Sequence, residues 1–254
     1  MVGNITFSGR LGNHMLQVAG AAVFAEQLNL YMSEQWINFP GPGIDMDDFL
    51  NYFELNPELF SCGIYHEEPE YLVTDRSIEN NSDLSTYPQG CYSFETYFAD
   101  KKFLNKYINT IHRVFQCKKP IEKKPRQILV HCRIGDVCPP MTATPEFYNM
   151  ALEQMEFTGG VIATEVVNEP FIQDLCKKFG LHAQCFTPGE TLAQSYGYDS
   201  MVLDQGTFSW WLGVLGQAKQ VIRYVSPPER SFCPDISLDH WKLIPYTETI
   251  NNHA

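Results

Sequence analysis

The second half of the chain alternates apolar runs with amphipathic ones regularly enough to place elements. Gln127–Cys132 is an apolar run that predicts a buried strand. Thr144 and Pro145 supply an N-cap and a proline at the first helical position, opening a helix through Met155. Gly160–Thr164 predicts the next strand. Asn168 and Pro170 open a second helix, with Phe171, Leu175 and Phe179 on one stripe and Gly180 as its stop. Ala183–Phe186 reads as a strand and Thr191–Tyr196 as a short helix. Met201–Leu203 is a further strand, followed by an apolar helix through Trp210–Leu215. Gln220–Val225 is expected to be the final strand, stopped by Pro227 and Pro228. Elements in this order predict a parallel sheet wrapped by helices.

The first half is patterned less evenly. Ile5–Phe7 reads as a short strand, Ser8–His14 as a glycine-containing turn, and Met15–Ala25 as a nearly all-apolar helix buried on most sides. Residues 36–93 show weaker periodicity, with a loop at Pro40–Gly43 and a turn at Asn80–Asp83. The aromatic-rich stretch Gly90–Phe98 leads into a helix in which Leu104, Tyr107, Ile108, Ile111 and Phe115 fall at helical spacing. From Lys118 to Arg126, basic residues interleave with Pro120 and Pro125. This reads as an exposed linker, so residues 1–120 and 121–254 are expected to form two α/β domains.

Composition narrows the function classes. At 254 residues the chain suits one large or two small domains, at roughly 100–200 residues each. Its net charge of −12 argues against a nucleic-acid or anionic-membrane surface. An anionic substrate stays compatible, because local donors decide that. Residues 45–100 hold thirteen Asp and Glu against Arg76 alone, which reads as a solvated acidic face. No 18-residue apolar run is present and the chain opens directly on Gly3-Asn4-Ile5. A transmembrane segment and a signal peptide are therefore not expected, and a cytoplasmic location is. The eight cysteines form no CxxC or Cys–His cluster, so they read as mostly reduced and not as zinc ligands.

Candidate chemistry gathers at three strand-to-helix junctions. The Gln127–Cys132 strand runs into Arg133-Ile134-Gly135-Asp136. In open α/β sheets ligands bind outside the carboxyl ends of strands, so Arg133 is expected at the mouth of a cleft. Its forked guanidinium suits a phosphate, although an arginine there can equally serve a surface ion pair. His131, two residues earlier, points to the same face. Gly9–Gly12 permits close backbone approach at the start of the first helix, or simply a tight turn. Gly206-Thr207-Phe208-Ser209 offers hydroxyls and amide N–H groups at another helix start, or a plain cap. After Ile162-Ala163-Thr164, Glu165 by itself reads as an exposed loop residue.

These segments together resemble GDP-fucose-dependent fucosyltransferases. His131-x-Arg133-x-Gly135-Asp136 is similar to that superfamily's phosphate-binding motif. Ile134 stands where many α-1,2-type members carry a second arginine, and His-x-Arg-Ile-Gly looks like the protein O-fucosyltransferase version. Gly9-Arg10-Leu11-Gly12-Asn13-His14 resembles Gly-x-x-Gly-Asn-Gln, with His14 in place of glutamine. Gly90–Phe98 resembles an aromatic segment of the family, or is simple core, and Gly206–Trp211 resembles Ser/Thr-Phe-Ser-Trp-Trp near the donor diphosphate. Ile162–Glu165 resembles the Val-Ala-Thr-Asp stretch of protein O-fucosyltransferases, where an acid meets guanine, so the resemblance implies that the Glu165 carboxylate accepts from N1–H and N2–H2.

The resemblance implies a GT-B-type fold of two Rossmann-like domains with parallel sheets, acceptor side first and donor side second. It implies an inverting transfer of fucose from GDP-fucose to a glycan hydroxyl. No metal is required on this reading, and no Asp-x-Asp pair is placed to bind one. Arg133, Asp136 and Asn13 are the expected catalytic residues. Gly12, Asn13, His14, His131, Arg133, Ala163, Thr164, Glu165, Thr207, Phe208 and Ser209 are expected to bind donor. Asp136, His14 and Glu95 are candidates for the general base. Another nucleotide sugar on the same fold, or an inactive sugar- or nucleotide-binding protein, are the alternatives.

Overall fold

The structure, a computed structural model, describes residues 2–30, 32, 46–60, 70–119, 121–134, 143–226 and 235–245. The chain forms two compact units. One comprises Met1–Ile121, Thr187–Gln194 and Cys233–Asp239, the other Glu122–Phe186, Ser195–Phe232 and His240–Ala254.

The first unit begins with β1 (Val2–Ile5), α1 (Leu11–Gln27), α2 (Met46–Tyr52), β2 (Phe53–Leu55), β3 (Tyr71–Thr74) and α3 (Asp75–Asn80). It continues through β4 (Tyr92–Glu95), α4 (Lys101–Lys106), α5 (Ile108–Val114) and β5 (Phe115–Cys117). Strands β1, β4 and β3 form a parallel sheet in that order, and β2 pairs with β5 antiparallel. The apolar sequence of α1 is explained by its surroundings, since Met15 through Ala25 are all buried. Phe24 lies at the centre of an aromatic cluster with Tyr87, Tyr92, Phe94, Phe98 and Phe103. Each such ring removed from water stabilises the fold by about 1.5–3 kcal/mol.

The expected helix through Phe115 is broken instead into α4 and α5. Tyr107 sits at the break with φ −109° and ψ 17°. Its hydroxyl donates to Ser82 O at 3.2 Å and accepts from Leu84 N at 3.3 Å, tying the ring to the neighbouring turn. Phe115 then leaves the helical path for β5, so its place on the stripe reflects burial rather than helix.

The returning segment at 235–239 is fastened to α4. Asn105 donates to Ser237 O and accepts from Asp239 N, and Lys101 pairs with Asp235. The other returning segment starts α8 (Pro188–Ser195). Thr187 caps this helix by accepting from Glu190 N, and its own hydroxyl donates to Asp48 Oδ1 at 2.5 Å. Gly189 N donates to Asp48 Oδ2 at 2.7 Å. A carboxylate remote in sequence therefore completes the start of α8.

The second unit contains β6 (Gln127–His131), α6 (Pro145–Leu152), β7 (Gly159–Ala163), α7 (Pro170–Phe179) and β8 (Leu181–Gln184). It continues with β9 (Ser200–Leu203), α9 (Thr207–Gly216), β10 (Gln220–Val225) and β11 (Lys242–Pro245). All six strands are parallel, in the order β8-β7-β6-β9-β10-β11. Counted within the unit, this is third, second, first, fourth, fifth, sixth, the Rossmann-like order. Gln220–Val225 is not the last strand, because Lys242–Pro245 pairs beside it. The stop at Gly180 is left-handed, with φ +66°.

The sheet's two faces follow strand alternation. Ile128, Val130, Ile162, Val202, Ile222 and Ile244 pack with Phe147, Tyr148, Ile172 and Leu175 of α6 and α7. Met201 and Leu203 point the other way, against Gly216 and Gly213 of α9. Among the described residues, no helix is long and apolar enough to cross a membrane. Cys91, Cys117, Cys132, Cys176 and Cys185 are free thiols.

Candidate functional site

The strand order changes direction between β6 and β9, since the chain adds β7 and β8 on one side and then crosses to add β9 on the other. The carboxyl ends of these two strands therefore diverge into different connections, which opens a crevice at that edge. His131 ends β6, Arg133 follows it, and Asp204-Gln205-Gly206 links β9 to α9.

Arg133 extends towards Gly206. A Cβ placed on that glycine would lie 2.7 Å from Arg133 Nη1. Gly206 also has φ +108° and ψ 165°, a conformation reserved for glycine. Backbone conformation and the approaching guanidinium thus make the same demand. The first hydrogen bond of α9 runs from Trp210 N to the carbonyl of its N-cap residue, Gly206 O, at 3.1 Å. The helix consequently presents its amide end, with the positive end of its dipole, beside the guanidinium.

His131 faces the same helix. Its Nδ1 lies 2.8 Å from Ser209 Oγ, and its ring is 5.5 Å from that of Phe208. Ser209 is fully buried and its hydroxyl donates to Gln205 O at 3.3 Å. With the hydroxyl proton so directed, Nδ1 donates to Oγ. Ser209 therefore props His131, whereas Thr207 and Phe208 are half-buried.

A residue not singled out from sequence organises the back of this crevice. Asp204 is completely buried, and its carboxylate accepts four hydrogen bonds. Oδ1 accepts from Ala143 N at 3.0 Å and Gln205 N at 2.7 Å. Oδ2 accepts from Arg133 N at 3.1 Å and Tyr148 Oη at 2.7 Å. Burial raises the carboxyl above its ordinary range, while the four donors oppose that shift. Burial likewise pushes the Tyr148 hydroxyl and the Cys132 thiol up, so both stay neutral. Arg223 of β10 is also buried, and its Nη2 donates to Gly206 O at 3.4 Å.

Ala163 and Thr164 at the end of β7 are buried, and Thr164 N donates to Gln184 O at 3.1 Å. Glu165 is exposed just beyond them, one strand over from β6. Asp136 lies outside the described residues, as do the Pro40–Gly43 loop and Pro227–Pro228.

Gly12, Asn13 and His14 belong to the first unit, in the first turn of α1. Gly12 and His14 are buried, and Asn13 is half-buried, with its side chain beneath Gly9, whose φ is +85°. The turn before α1 is held by buried Gln17, which donates to Thr6 O at 2.8 Å and accepts from Ser8 N at 3.2 Å. Burial lowers the His14 pKa, against the opposing effect of a hydrogen bond with the Gly9 backbone. The Phe7 ring stands 5.0 Å from the imidazole. Glu95 is exposed at the end of β4.

A guanidinium, an imidazole and a helix start at one crevice form an arrangement suited to an anion. Among the described residues, no group of three or more His, Cys, Asp or Glu side chains is arranged to hold a metal ion. No protein-family model matches this chain, and no curated protein matches it in sequence.

Proposed function

We propose that this protein is an inverting glycosyltransferase that moves L-fucose from GDP-fucose to a hydroxyl of a glycan acceptor. The observation that carries this reading is the approach of Arg133 to the start of α9 at Gly206, at the switch point of a parallel sheet in the Rossmann-like order. The fucose donor is assigned on the family resemblance of the His131–Asp136, Gly206–Trp211 and Ile162–Glu165 segments. In this reading the chain is of the GT-B type, with donor bound by the second unit and acceptor by the first.

The acceptor oxygen attacks the anomeric carbon and gives up its proton to a base. The bond from that carbon to the β-phosphate oxygen breaks, and GDP leaves with its electron pair. Negative charge grows on the diphosphate, where the Arg133 guanidinium and the amide end of α9 stabilise it. His131, held by Ser209, shapes the same wall. Glu165 accepts from the guanine edge, and Gly12, Asn13 and His14 serve the donor as the resemblance implies.

Calorimetry with GDP, UDP and GDP-fucose, together with product formation on a panel of glycan acceptors, tests this. GDP should bind more tightly than UDP, and Glu165→Ala should narrow the gap. UDP binding as tightly as GDP would favour another nucleotide sugar. Arg133→Ala should keep its melting temperature but lose on the order of 10²–10³ in turnover. Arg133→Lys should recover little, because an ammonium lacks the planar two-point grip. A well-folded Arg133→Ala variant with near-normal turnover would remove the assignment, and binding without any transfer would identify a nucleotide-binding protein instead.

A further inference from the structure

We infer that Asp204 is the positioning residue that sets Arg133 at the crevice. This inference rests on the anion-binding role given to Arg133 above, and it assigns that role a second, buried determinant. Strand alternation sends the side chain of Arg133 towards α9, while Asp204 turns to the opposite face, towards α6. Asp204 therefore acts on Arg133 through the backbone alone, by accepting its amide hydrogen. The amide of Arg133 lies beyond the end of β6, where the ladder has stopped with Cys132 N bonded to Ala163 O.

The same carboxylate takes Ala143 N, so both flanks of the intervening stretch are fastened to one group. Gln205 N and Tyr148 Oη fill its remaining lone-pair positions. Residues from just beyond β6, from the approach to α6 and α6 itself, and from the β9–α9 connection thus converge on one buried carboxyl group. Its own connection leads directly to Gly206, the residue that Arg133 approaches. One side chain thereby fixes both parties to that approach, Arg133 by its amide and Gly206 by the preceding turn.

The division of donors makes asparagine a sharp probe. Each carboxylate oxygen serves two donors, so an amide must turn its NH2 against one pair. Against Ala143 N and Gln205 N, two fixed donors would face a third. Against Arg133 N and Tyr148 Oη, the hydroxyl can rotate to accept, and only the Arg133 amide is left without an acceptor. Asp204→Asn should therefore release Arg133 selectively. Tyr148→Phe removes one donor from Oδ2 and leaves the bond to Arg133 intact.

Amide exchange measured by NMR on the full chain, with calorimetric binding of GDP and of inorganic pyrophosphate, tests the inference. In the wild type, Arg133 N and Ala143 N should exchange slowly although neither lies in a helix or strand. Asp204→Asn should accelerate Arg133 by about tenfold or more and weaken pyrophosphate binding by a similar factor. Tyr148→Phe should leave both near the wild-type values. Unprotected Arg133 and Ala143 amides in the wild type overturn the inference, even if Asp204→Asn proves unfolded. Faster exchange with unchanged pyrophosphate affinity also overturns it, because Asp204 would then brace the fold alone. If the wild type binds pyrophosphate but not GDP, the donor reading fails and the positioning role stands. Binding of neither ligand removes both.

Discussion

His14 shows how a single side chain can tie stability to pH. Burial in α1 holds its pKa below the ordinary value of 6.5, so the folded protein keeps the imidazole neutral. The unfolded chain protonates it at about pH 6.5 and below. In the window between the lowered folded value and 6.5 the unfolded state binds more protons, so stability is intact above that window and falls as pH drops through it. His14→Gln removes this dependence. The wild-type melting temperature should therefore fall more steeply than that of His14→Gln between about pH 7.5 and pH 5.5. Parallel slopes for the two proteins would show that His14 does not contribute. Legibility at this scale was uneven for a physical reason. His131 and Arg133 stand out because period-two spacing puts them on one face at a strand end. Asp204 has the same local appearance as any aspartate opening a turn, and only the convergence of donors from residues 133, 143, 148 and 205 distinguishes it. Arg223 sits inside Gln-Val-Ile-Arg-Tyr-Val and is buried on the α9 side of the sheet, in register with Leu203 and reaching Gly206 O, a placement that nothing local in the sequence announces.

Among the elements, those of the second unit were the most readable. Its inner strands β6, β7 and β9 are buried on both faces and so appear as continuous apolar runs, and α7 carries both a proline near its start and a glycine at its stop. Where the sequence misleads, burial without periodicity is responsible. Phe115 is as buried as any residue of the α4–α5 stripe, but it belongs to a strand. Lys242–Pro245 is short and mostly not buried, so nothing in its pattern announces a strand. Helix α8 starts ahead of the expected Thr191, at a Thr187–Pro188 cap like the one that opens α6, and Asp48, 139 positions away, completes that cap. Losing that carboxylate has a definite cost. Asp48→Ala should destabilise the first unit by about 1 kcal/mol, the usual penalty for a lost cap. That corresponds to a melting temperature lower by roughly 2–4 °C in a protein of this size. Faster amide exchange at Gly189, measured alongside the melt, would locate the effect; an unchanged melt and unchanged exchange would show the cap to be dispensable.

For the whole molecule, a net charge of −12 leaves the candidate anion site dependent on local groups. Under the proposed function, Arg133 and the start of α9 neutralise the leaving diphosphate, a task that other enzymes give to a divalent cation. Turnover should then survive excess EDTA. Loss of turnover that returns with Mn²⁺ would overturn this division of labour.

The path of the chain through its two units bears on how the protein is made. Domains of a nascent chain usually fold in order from the amino terminus. Here the first unit includes Thr187–Gln194 and Cys233–Asp239, and α4 waits for Ser237 and Asp239 to meet Asn105. It cannot be completed on the ribosome until residue 239 has emerged, by which point nearly all of the second unit has emerged too. The unit encoded first is thus among the last parts to finish folding: α1 can already pack on Phe94, Phe98 and α5, all within the first 121 residues, while the outer side of α4 stays open until the chain returns.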